Sequence, residues 1–300
     1  PCEDQADSLR RLINAFANAG YDYATANIFA FGFAAGDAHS EKTRSLNEGF
    51  VITDEDSFNA YEWPEIDSAK YAVFDEVDDD LPAGMKLISC GPGGVLENAI
   101  RLTGYENLCF MSIENPSLTG KIFDEVGSRL VVHYQECGKH DVFGAMISND
   151  DWGFNQQTMF PPEFFREYVF PWHRRIVEAI HDAGRPAILH SCGNLDAIMD
   201  EIIDDLKYDG KHSYEDNILP VEDAYEKWGS RIAILGGIDV DFLCRHTPSE
   251  VHERSKKMLE RAESRGSYGL GSGNSIPEYV PKESYYAMIS AATGMSYSAA

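Results

Sequence analysis

The sequence is poor in positive charge. Among its 300 residues, 25 lysines and arginines stand against 50 aspartates and glutamates, which gives a net charge of −25. Binding to nucleic acid or to an anionic membrane requires a basic face, because neutralised phosphates supply much of the affinity. We therefore expect no nucleic-acid partner and no membrane partner. Acidic surfaces also serve solubility, so the charge does not identify a partner.

Long apolar runs are also missing. No stretch approaches the roughly 20 apolar residues that span a bilayer, and no signal-peptide pattern is present. A disulfide-framework spacing is absent from the six cysteines, which are Cys2, Cys90, Cys109, Cys137, Cys192 and Cys244. In a chain of this size they predict reduced thiols and a cytoplasmic protein.

The hydrophobic content of 43% is sufficient for one large domain or two small ones, and we predict a single domain over residues 1–300. The first residue is Pro1 rather than Met, so we expect part of an N-terminal segment to be missing.

Glycine-rich nucleotide-binding fingerprints are not found either. Gly91-Pro92-Gly93-Gly94 precedes a predicted helix but lacks the G-x-G-x-x-G and Walker patterns, which favours an ordinary turn. Short apolar segments alternate with amphipathic helices, and this alternation predicts parallel strands. With about seven predicted strands and no dinucleotide fingerprint, we predict an α/β TIM (β/α)8 barrel rather than an open doubly wound sheet. One strand would be irregular or lie in the missing N-terminal part.

Apolar patterning gives the approximate bounds of the elements. The predicted strands are Tyr21–Phe29, Lys86–Cys90, Val142–Ser148, Pro186–Leu189, Ile218–Pro220, Ile232–Gly237 and Ser267–Leu270. The predicted helices include Ser8–Ala19, Glu106–Ile113, Pro116–Cys137, Pro162–Ala183 with a kink at Pro171, Leu195–Leu206, Val221–Trp228, one that begins at Thr247, and Lys282–Thr293. Three segments are predicted to be irregular, namely a long loop at Ala30–Glu48, a solvated turn at Asp75–Asp80 and a polar insertion at Lys207–Asn217.

One segment, His190-Ser191-Cys192-Gly193-Asn194, joins a predicted buried strand to a predicted helix that Asn194 would cap. Residues i and i+2 of a strand point the same way, so His190 and Cys192 can present an imidazole and a thiol to one point. Nitrogen and sulfur donors of this kind suit zinc. A pair is not a full ligand set, and a buried cysteine beside a hydrogen-bonded histidine is the simpler alternative.

In a TIM barrel, functional residues lie where strands end and helices begin. This rule places four groups of residues around one mouth. They are Asp150 with Asp151, His190 with Cys192, Asp239, and Ser272–Asn274.

Six motifs occur in an order that resembles the uroporphyrinogen decarboxylase superfamily. They are Trp63-Pro64, Pro92-Gly93-Gly94, Asp150-Asp151-Trp152-Gly153, Leu189-His190-Ser191-Cys192-Gly193-Asn194, Gly236-Gly237-Ile238-Asp239 and Gly269-Leu270-Gly271-Ser272-Gly273. The resemblance covers Ser8 to Ala292, and its most specific parts are His-x-Cys-Gly-Asn and Gly-Gly-Ile-Asp. It implies a barrel with one of two chemistries: porphyrinogen decarboxylation, or methyl transfer between a corrinoid protein and a thiol or folate by zinc methyltransferases.

The methyltransferase branch is the better match. The Arg-rich N-terminal segment of the decarboxylases is not present, and Gly271-Ser272-Gly273 stands where they carry Gly-His-Gly. His190 and Cys192 match the zinc ligands of the methyltransferases, in which zinc activates a bound thiol. The resemblance thus implies zinc, a corrinoid (cobalamin) on a partner protein, and tetrahydrofolate as an alternative carrier.

The match is incomplete at the third zinc ligand. The methyltransferases take a cysteine from the last strand's loop, where this sequence has Asn274, a poor ligand. Cys244 lies in a predicted helix and is expected to be structural. A carboxylate from Asp151, Asp239 or Glu278 can complete the site, because zinc accepts oxygen. Alternatively the pair binds metal weakly or not at all, and a folate-bound methyl group is transferred by acid and hydrogen-bond catalysis.

We therefore predict roles for a set of mouth residues. The predicted metal ligands are His190 and Cys192, the predicted catalytic residues are Asp150, Asp151 and Asp239, and the predicted cofactor-binding residues are Trp152, Asn194, Ser272 and Asn274. The competing interpretations are that the aspartates only cap turns or orient loop amides, and that Trp152 only packs.

The resulting hypothesis is a methyltransferase that works with a corrinoid protein or a small-molecule methyl carrier. A decarboxylase acting on a porphyrinogen or another polycarboxylate is the first alternative. A non-catalytic cofactor-binding homologue is the second. A homo-oligomer is left open.

Overall fold

The computed structural model describes residues 4–27, 31–36 and 45–295. Its strands form one parallel sheet in which each strand pairs with the next along the chain. The seven strands in these residues are β1 Tyr23–Asn27, β2 Lys86–Cys90, β3 Phe143–Asn149, β4 Ala187–His190, β5 Gly210–His212, β6 Ala233–Leu235 and β7 Tyr268–Gly269. Parallel strands in sequential order with intervening helices define the TIM barrel that the sequence predicts.

Helices cover the outside of the sheet. The α-helices are α1 Gln5–Asn18, α2 Glu55–Ala60, α3 Val95–Thr103, α4 Tyr105–Glu114, α5 Pro116–Cys137, α6 Pro162–Phe164, α7 Phe170–Asp182, α8 Val221–Trp228, α9 Val240–Arg245, α10 Pro248–Ala262 and α11 Lys282–Thr293. Less regular turns form 3₁₀ helices at Ser68–Asp80 and Asp196–Ile198 and π-helices at Phe165–Val169 and Glu201–Asp205.

Most predicted elements are present, and several bounds are reproduced to the residue. Lys86–Cys90, Pro116–Cys137 and Lys282–Thr293 have the predicted limits. Thr247 caps α10 with its hydroxyl, and the Glu250 carboxylate accepts from the Thr247 backbone N–H in return. A π-helical turn precedes Pro171, because proline lacks the N–H that would continue the regular ladder.

Three predicted segments are wrong. Ile218–Pro220 is not a strand, and the strand at this point of the barrel is β5, inside the segment predicted to be a polar insertion. The mistake has a physical cause, since β5 contains glycine, lysine and histidine and therefore lacks an apolar pattern. The acidic segment Asp75–Asp80 is the end of a 3₁₀ helix rather than a simple turn, because Tyr71, Phe74 and Val77 are buried beneath it.

The predicted Ala30–Glu48 loop is described only in part. Residues 31–36 and 45–48 contain no regular helix or strand, while Ala30 and residues 37–44 lie outside the described residues. Phe29, the predicted last residue of the first strand, also lies outside them.

Two apolar clusters hold the barrel together. The larger cluster is formed by residues of the sheet and of most helices, and the smaller cluster lies among α9, α10 and α11. Ala19 and Tyr21, which precede β1, pack on the smaller cluster, and the hydroxyls of Tyr21 and Tyr285 are 3.1 Å apart. The beginning and the end of the sheet are therefore drawn together. Across the described ranges, no helix has the length and apolar character needed to cross a bilayer.

Candidate active site

The loops that follow β3 and β4 are hydrogen-bonded along their length. Asp150 N–H donates to the His190 carbonyl at 2.9 Å, and Trp152 N–H donates to Ser191 Oγ at 3.1 Å. In the reverse direction, Cys192 N–H donates to Asp151 Oδ1 at 2.8 Å. These bonds hold a carboxylate, an imidazole and a thiol at fixed positions on the barrel mouth.

A glycine pair permits this close approach. Gly193 has a φ of +83°, and a Cβ atom on it would overlap with the backbone of Gly153. Any side chain at Gly193 would therefore push the two loops apart and also strain the backbone. The glycines of the Asp-Asp-Trp-Gly and His-Ser-Cys-Gly-Asn segments thus serve loop contact rather than ligand binding.

Asp150 is fully buried and engaged on every side. Its oxygens accept from the backbone N–H groups of Leu96 and Glu97 at the start of α3, both at 2.8 Å, and Oδ2 lies 2.9 Å from His173 Nε2. Gly94 has no side chain, and a Cβ there would overlap with the Asp150 carboxyl group. The glycine turn before α3 therefore accommodates a carboxylate of the protein itself at the helix N-terminus. This geometry favours a structural role for Asp150 over its predicted catalytic role.

Asp151, His190 and Cys192 form the one group of three potential metal donors that the described residues contain. Their donor atoms all lie within 4.8 Å of one another. His190 Nε2 is 3.8 Å from Cys192 Sγ. Nitrogen and sulfur atoms bonded to one tetrahedral zinc are separated by about 3.6 Å, so the pair fits zinc. Asp151 is the third donor, and it is one of the carboxylates proposed from the sequence.

His190 is held from behind by a second histidine. His190 Nδ1 lies 2.7 Å from His212 Nδ1, and His212 Nε2 lies 3.0 Å from the carbonyl oxygen of Ser272. The two rings are stacked at an angle of 30°. Burial lowers the pKa of His212 to about 3, with a smaller contribution from His190, so the ring is neutral at physiological pH.

The Cys192 thiol has polar neighbours that face its sulfur. Asn274 Nδ2 donates to Sγ at 3.4 Å and Ser213 Oγ at 3.7 Å. Burial, followed by the negative charge of Asp151, raises the pKa of Cys192 to about 12. Without a cation the sulfur is therefore a protonated thiol. Metal ligation requires the thiolate, so metal binding at this site would release a proton.

Two charged residues at the mouth were not identified from the sequence. Lys211 is buried, and its Nζ donates to the carbonyls of Ser213 and Ser191 at 2.6 and 3.3 Å. Burial lowers its pKa to about 8. Glu97 accepts from Gly94 N–H at 2.8 Å, and burial together with the charges of Asp150 and Asp151 raises its pKa.

One signal in the sequence points to Lys211 and His212. Regular alternation requires a strand between the helical segments that end at Leu206 and begin at Val221, and Gly210–His212 lies between them. No comparable signal exists for Glu97, because its environment is created by residues about 50 positions away.

Two further predicted residues, Trp152 and Asp239, are engaged in packing and in backbone hydrogen bonds. Trp152 is fully buried and packs against Phe165, Phe170 and His173, which favours the packing interpretation. Asp239 caps α9 through Phe242 N–H at 3.0 Å and accepts from Asp216 N–H at 2.8 Å. Both of its oxygens are therefore engaged by backbone amides.

Three further residues complete the set. Asn194 accepts from Asp196 N–H at 3.0 Å and so supports the first helical turn after β4. Ser272 contributes its carbonyl to His212, while its hydroxyl donates to the Asn274 carbonyl at 2.6 Å. Glu278 is exposed and is not part of the donor cluster.

Fold and site together define a TIM-barrel protein with a nitrogen, sulfur and carboxylate cluster at its mouth. The sequence model of the uroporphyrinogen decarboxylase (URO-D) family matches residues 70–295. Since this match covers most of the chain, the chain belongs to that family.

Curated relatives are named as methyltransferases. A methylated-thiol–coenzyme M methyltransferase of Methanosarcina mazei is 27% identical over 163 residues, which are 53% of this chain and 41% of the relative. A methylcobamide:CoM methyltransferase, MtbA, of Methanosarcina acetivorans is 29% identical over 140 residues, 45% of this chain and 38% of the relative. The matches thus span about two fifths of the relatives' length.

Solved structures support the fold. A methyltransferase from Methanosarcina mazei superposes with a TM-score of 0.71 at 14% identity, covering 97% of this chain and 87% of the other. A putative vitamin-B12-independent methionine synthase from Listeria monocytogenes gives 0.53 at 10% identity, with 96% and 85% covered. At these identities the likeness establishes the barrel and not the reaction.

Proposed function

We propose that this chain is a methyltransferase that moves a methyl group between a corrinoid protein and a thiol or tetrahydrofolate, at a zinc site formed by His190, Cys192 and Asp151. The observation that carries the proposal is the convergence of these three donors at the barrel mouth. The names of the curated relatives supply the reaction class, because they specify methylcobamide, methylated thiols and coenzyme M.

A zinc ion bound there would lower the pKa of an incoming thiol and keep it as a thiolate at neutral pH. The chain's own residues perform the other tasks. Asp151 fixes the Cys192 backbone, while Asn274 and Ser213 direct hydrogen-bond donors at the sulfur. These contacts orient the ligand sulfur toward the histidine before a metal arrives.

The folate version of the reaction needs a proton delivered to nitrogen. Asp150 is poorly suited to this task, since both of its oxygens accept backbone hydrogen bonds inside the core. Glu97 is better suited, because its raised pKa favours the protonated form. In the folate version we therefore assign the acid to Glu97, with Asp151 beside it.

Decarboxylation of a polycarboxylate is the weaker alternative. Such a substrate needs cations to bind its carboxylates. Lys211 is close enough for its charge to act on His190, but its ammonium group already donates to two backbone carbonyls. Asp151 adds negative charge to the same mouth. A cytoplasmic location and a homo-oligomeric state remain parts of the hypothesis.

The test measures zinc content and demethylation of methylcobalamin in the presence of small thiols, with methylcobalamin standing in for the corrinoid protein. We expect one zinc per chain and loss of both zinc and turnover in His190→Ala and Cys192→Ala. Cys137→Ala, which removes a buried thiol elsewhere, is the matched control and should retain both.

Two results would contradict the proposal. One is the absence of zinc from protein prepared with ample metal. The other is conversion of uroporphyrinogen to coproporphyrinogen without methyl transfer, which would establish the decarboxylase. Tight binding of cobalamin without turnover would indicate a non-catalytic homologue.

A further inference from the structure

We propose that His212 is a positioning residue that fixes His190 in the tautomer with its proton on Nδ1, so that Nε2 presents a lone pair to the metal. The proposal rests on the proposed zinc site, but its first prediction concerns the chain without metal. It assigns a role to a residue on β5, a strand that was missed because its sequence lacks an apolar pattern.

The direction of the hydrogen bonds follows from the atoms involved. The Ser272 carbonyl oxygen can only accept, so the contact at 3.0 Å requires a proton on His212 Nε2. A neutral imidazole carries one proton, which leaves His212 Nδ1 as an acceptor. The 2.7 Å contact between the two Nδ1 atoms therefore requires His190 Nδ1 to donate. With its single proton on Nδ1, His190 has a free lone pair on Nε2.

The free lone pair faces the other donors. His190 Nε2 lies 3.8 Å from Cys192 Sγ, and both atoms belong to the cluster completed by Asp151. Metal-binding histidines usually donate their second N–H to a carboxylate, a carbonyl or water. In this chain the acceptor is a second imidazole, that of His212, which in turn donates to the Ser272 carbonyl in the loop after β7. We call these two hydrogen bonds the relay.

The packing around His212 gives independent support. Gly236 has a φ of +72°, and a Cβ atom on it would lie 2.8 Å from His212 Nε2 and 2.7 Å from His212 Cδ2. The absence of a side chain at Gly236 thus leaves the space in which His212 meets Ser272. The Ser272 carbonyl is itself fixed, because it also accepts from Gly237 N–H at 3.1 Å.

The register of β4 and β5 fixes His190, which is the other end of the relay. His190 and His212 are directly paired residues of neighbouring parallel strands, so their side chains project on the same face. The relay therefore spans the ends of β4, β5 and β7 and depends on backbone geometry at both ends.

The first test is nitrogen-15 NMR of histidine-labelled full-length chain, freed of metal by a chelator, with His190→Ala used to assign the signal. We expect the His190 signals of the Nδ1–H tautomer. An Nε2–H tautomer in the wild-type chain would overturn the proposal, whether or not the protein transfers methyl groups.

The second test compares His212→Leu with His212→Asn in zinc titrations against a chelator. Leucine removes the acceptor, and we expect zinc affinity to fall by about 10- to 100-fold, as for other residues that orient a ligand. Asparagine places an amide oxygen near the former Nδ1 position and should recover most of that loss. If His212 served packing alone, both variants would lose zinc affinity to the same extent.

The outcomes separate this proposal from the proposed function. Unchanged affinity in His212→Leu, or equal loss in both variants, contradicts the relay. Normal zinc binding and the expected tautomer without methyl transfer would leave the relay in place and reject the reaction. If the chain binds no zinc, the NMR experiment alone decides.

Discussion

The described residues contain two histidine–cysteine pairs with nearly the same nitrogen-to-sulfur distance and different surroundings. On α5, His133 Nε2 lies 3.7 Å from Cys137 Sγ, and at the end of β4 His190 Nε2 lies 3.8 Å from Cys192 Sγ. The first pair is fully buried, whereas the second is partly exposed at the barrel mouth. Spacing alone therefore does not define a metal site.

The difference lies in the third group. His133 Nδ1 is 2.8 Å from the Tyr71 hydroxyl, and Cys137 accepts from Ser89 Oγ at 3.2 Å. No carboxylate joins this pair in the part of the chain that is described, whereas Asp151 joins His190 and Cys192. A neutral network suits the core, since an unpaired charge there would be costly. An accessible pair with a carboxylate is suited to a cation.

The largest expected effect comes from removing the sulfur of each pair. Cys192→Ser should weaken zinc binding by more than about 1,000-fold, because a thiolate supplies much of the affinity of such sites. Cys137→Ser should leave zinc affinity unchanged and lower the free energy of unfolding instead. Chelator competition and urea denaturation measure the two quantities. Equal zinc affinity in both variants would remove the distinction between the pairs.

A second contrast uses the neighbouring aspartates. Asp150→Asn should reduce the free energy of unfolding by about 3 kcal/mol, because it weakens a buried contact with His173 and the cap of α3. Asp151→Asn keeps an oxygen acceptor for Cys192 N–H but loses the charge. We expect it to weaken zinc binding by at least about 10- to 100-fold, because a neutral amide replaces a carboxylate ligand, with little change in the free energy of unfolding. Reversed phenotypes would contradict the assignment.

A gain of affinity should follow from Asn274→Cys. Asn274 Nδ2 lies 3.4 Å from Cys192 Sγ, so a thiol at this position is close enough to join the cluster. We expect zinc affinity to rise about tenfold, because a second thiolate replaces a neutral amide near the metal. Asn194→Cys, at a mouth residue that supports a helical turn instead, is the control and should have no such effect.

The smallest effect concerns the buried pair and pH. Burial lowers the pKa of His133 to about 4, from 6.5 as the ordinary value. Between these pH values the unfolded chain binds more protons than the folded one, so the stability contributed by neutral His133 is complete above pH 6.5 and falls as the pH drops toward 4. From pH 7 to 5.5 we expect the loss to be about 1 kcal/mol.

His133→Asn provides the control for this titration. The variant is expected to be less stable at neutral pH, but its free energy of unfolding should depend less on pH than that of the wild type. Parallel pH profiles of the two proteins in urea denaturation would show that His133 contributes no such dependence.

The fold was largely predictable because apolar strands and capped helices are local patterns. The capping box at Thr247 and the apolar segment before His190 are each encoded within a few residues. β5 was missed because two of its three residues are Lys211 and His212. Their polarity is compensated by the carbonyls of Ser191 and Ser213 and by the ring of His190, which no local pattern reveals.

The site was predictable in its centre and not in its surroundings. His190 and Cys192 stand out because a nitrogen ligand and a sulfur ligand lie at the end of one strand. The barrel rule and the motif resemblance identify further residues at the barrel mouth. The contrast between Asp150 and Asp151 is invisible in the sequence, since it depends on which of the two carboxylates faces the start of α3. Gly94 and Gly236 likewise acquire meaning only from the side chains that occupy the space beside them.

The most direct test of the metal site is cobalt(II) substitution followed by absorption spectroscopy. We predict one bound cobalt per chain with a thiolate-to-cobalt charge-transfer band, which is lost in Cys192→Ser and retained in Cys137→Ser. Absence of the band from the wild-type protein, or its persistence in Cys192→Ser, would contradict a metal site at His190 and Cys192.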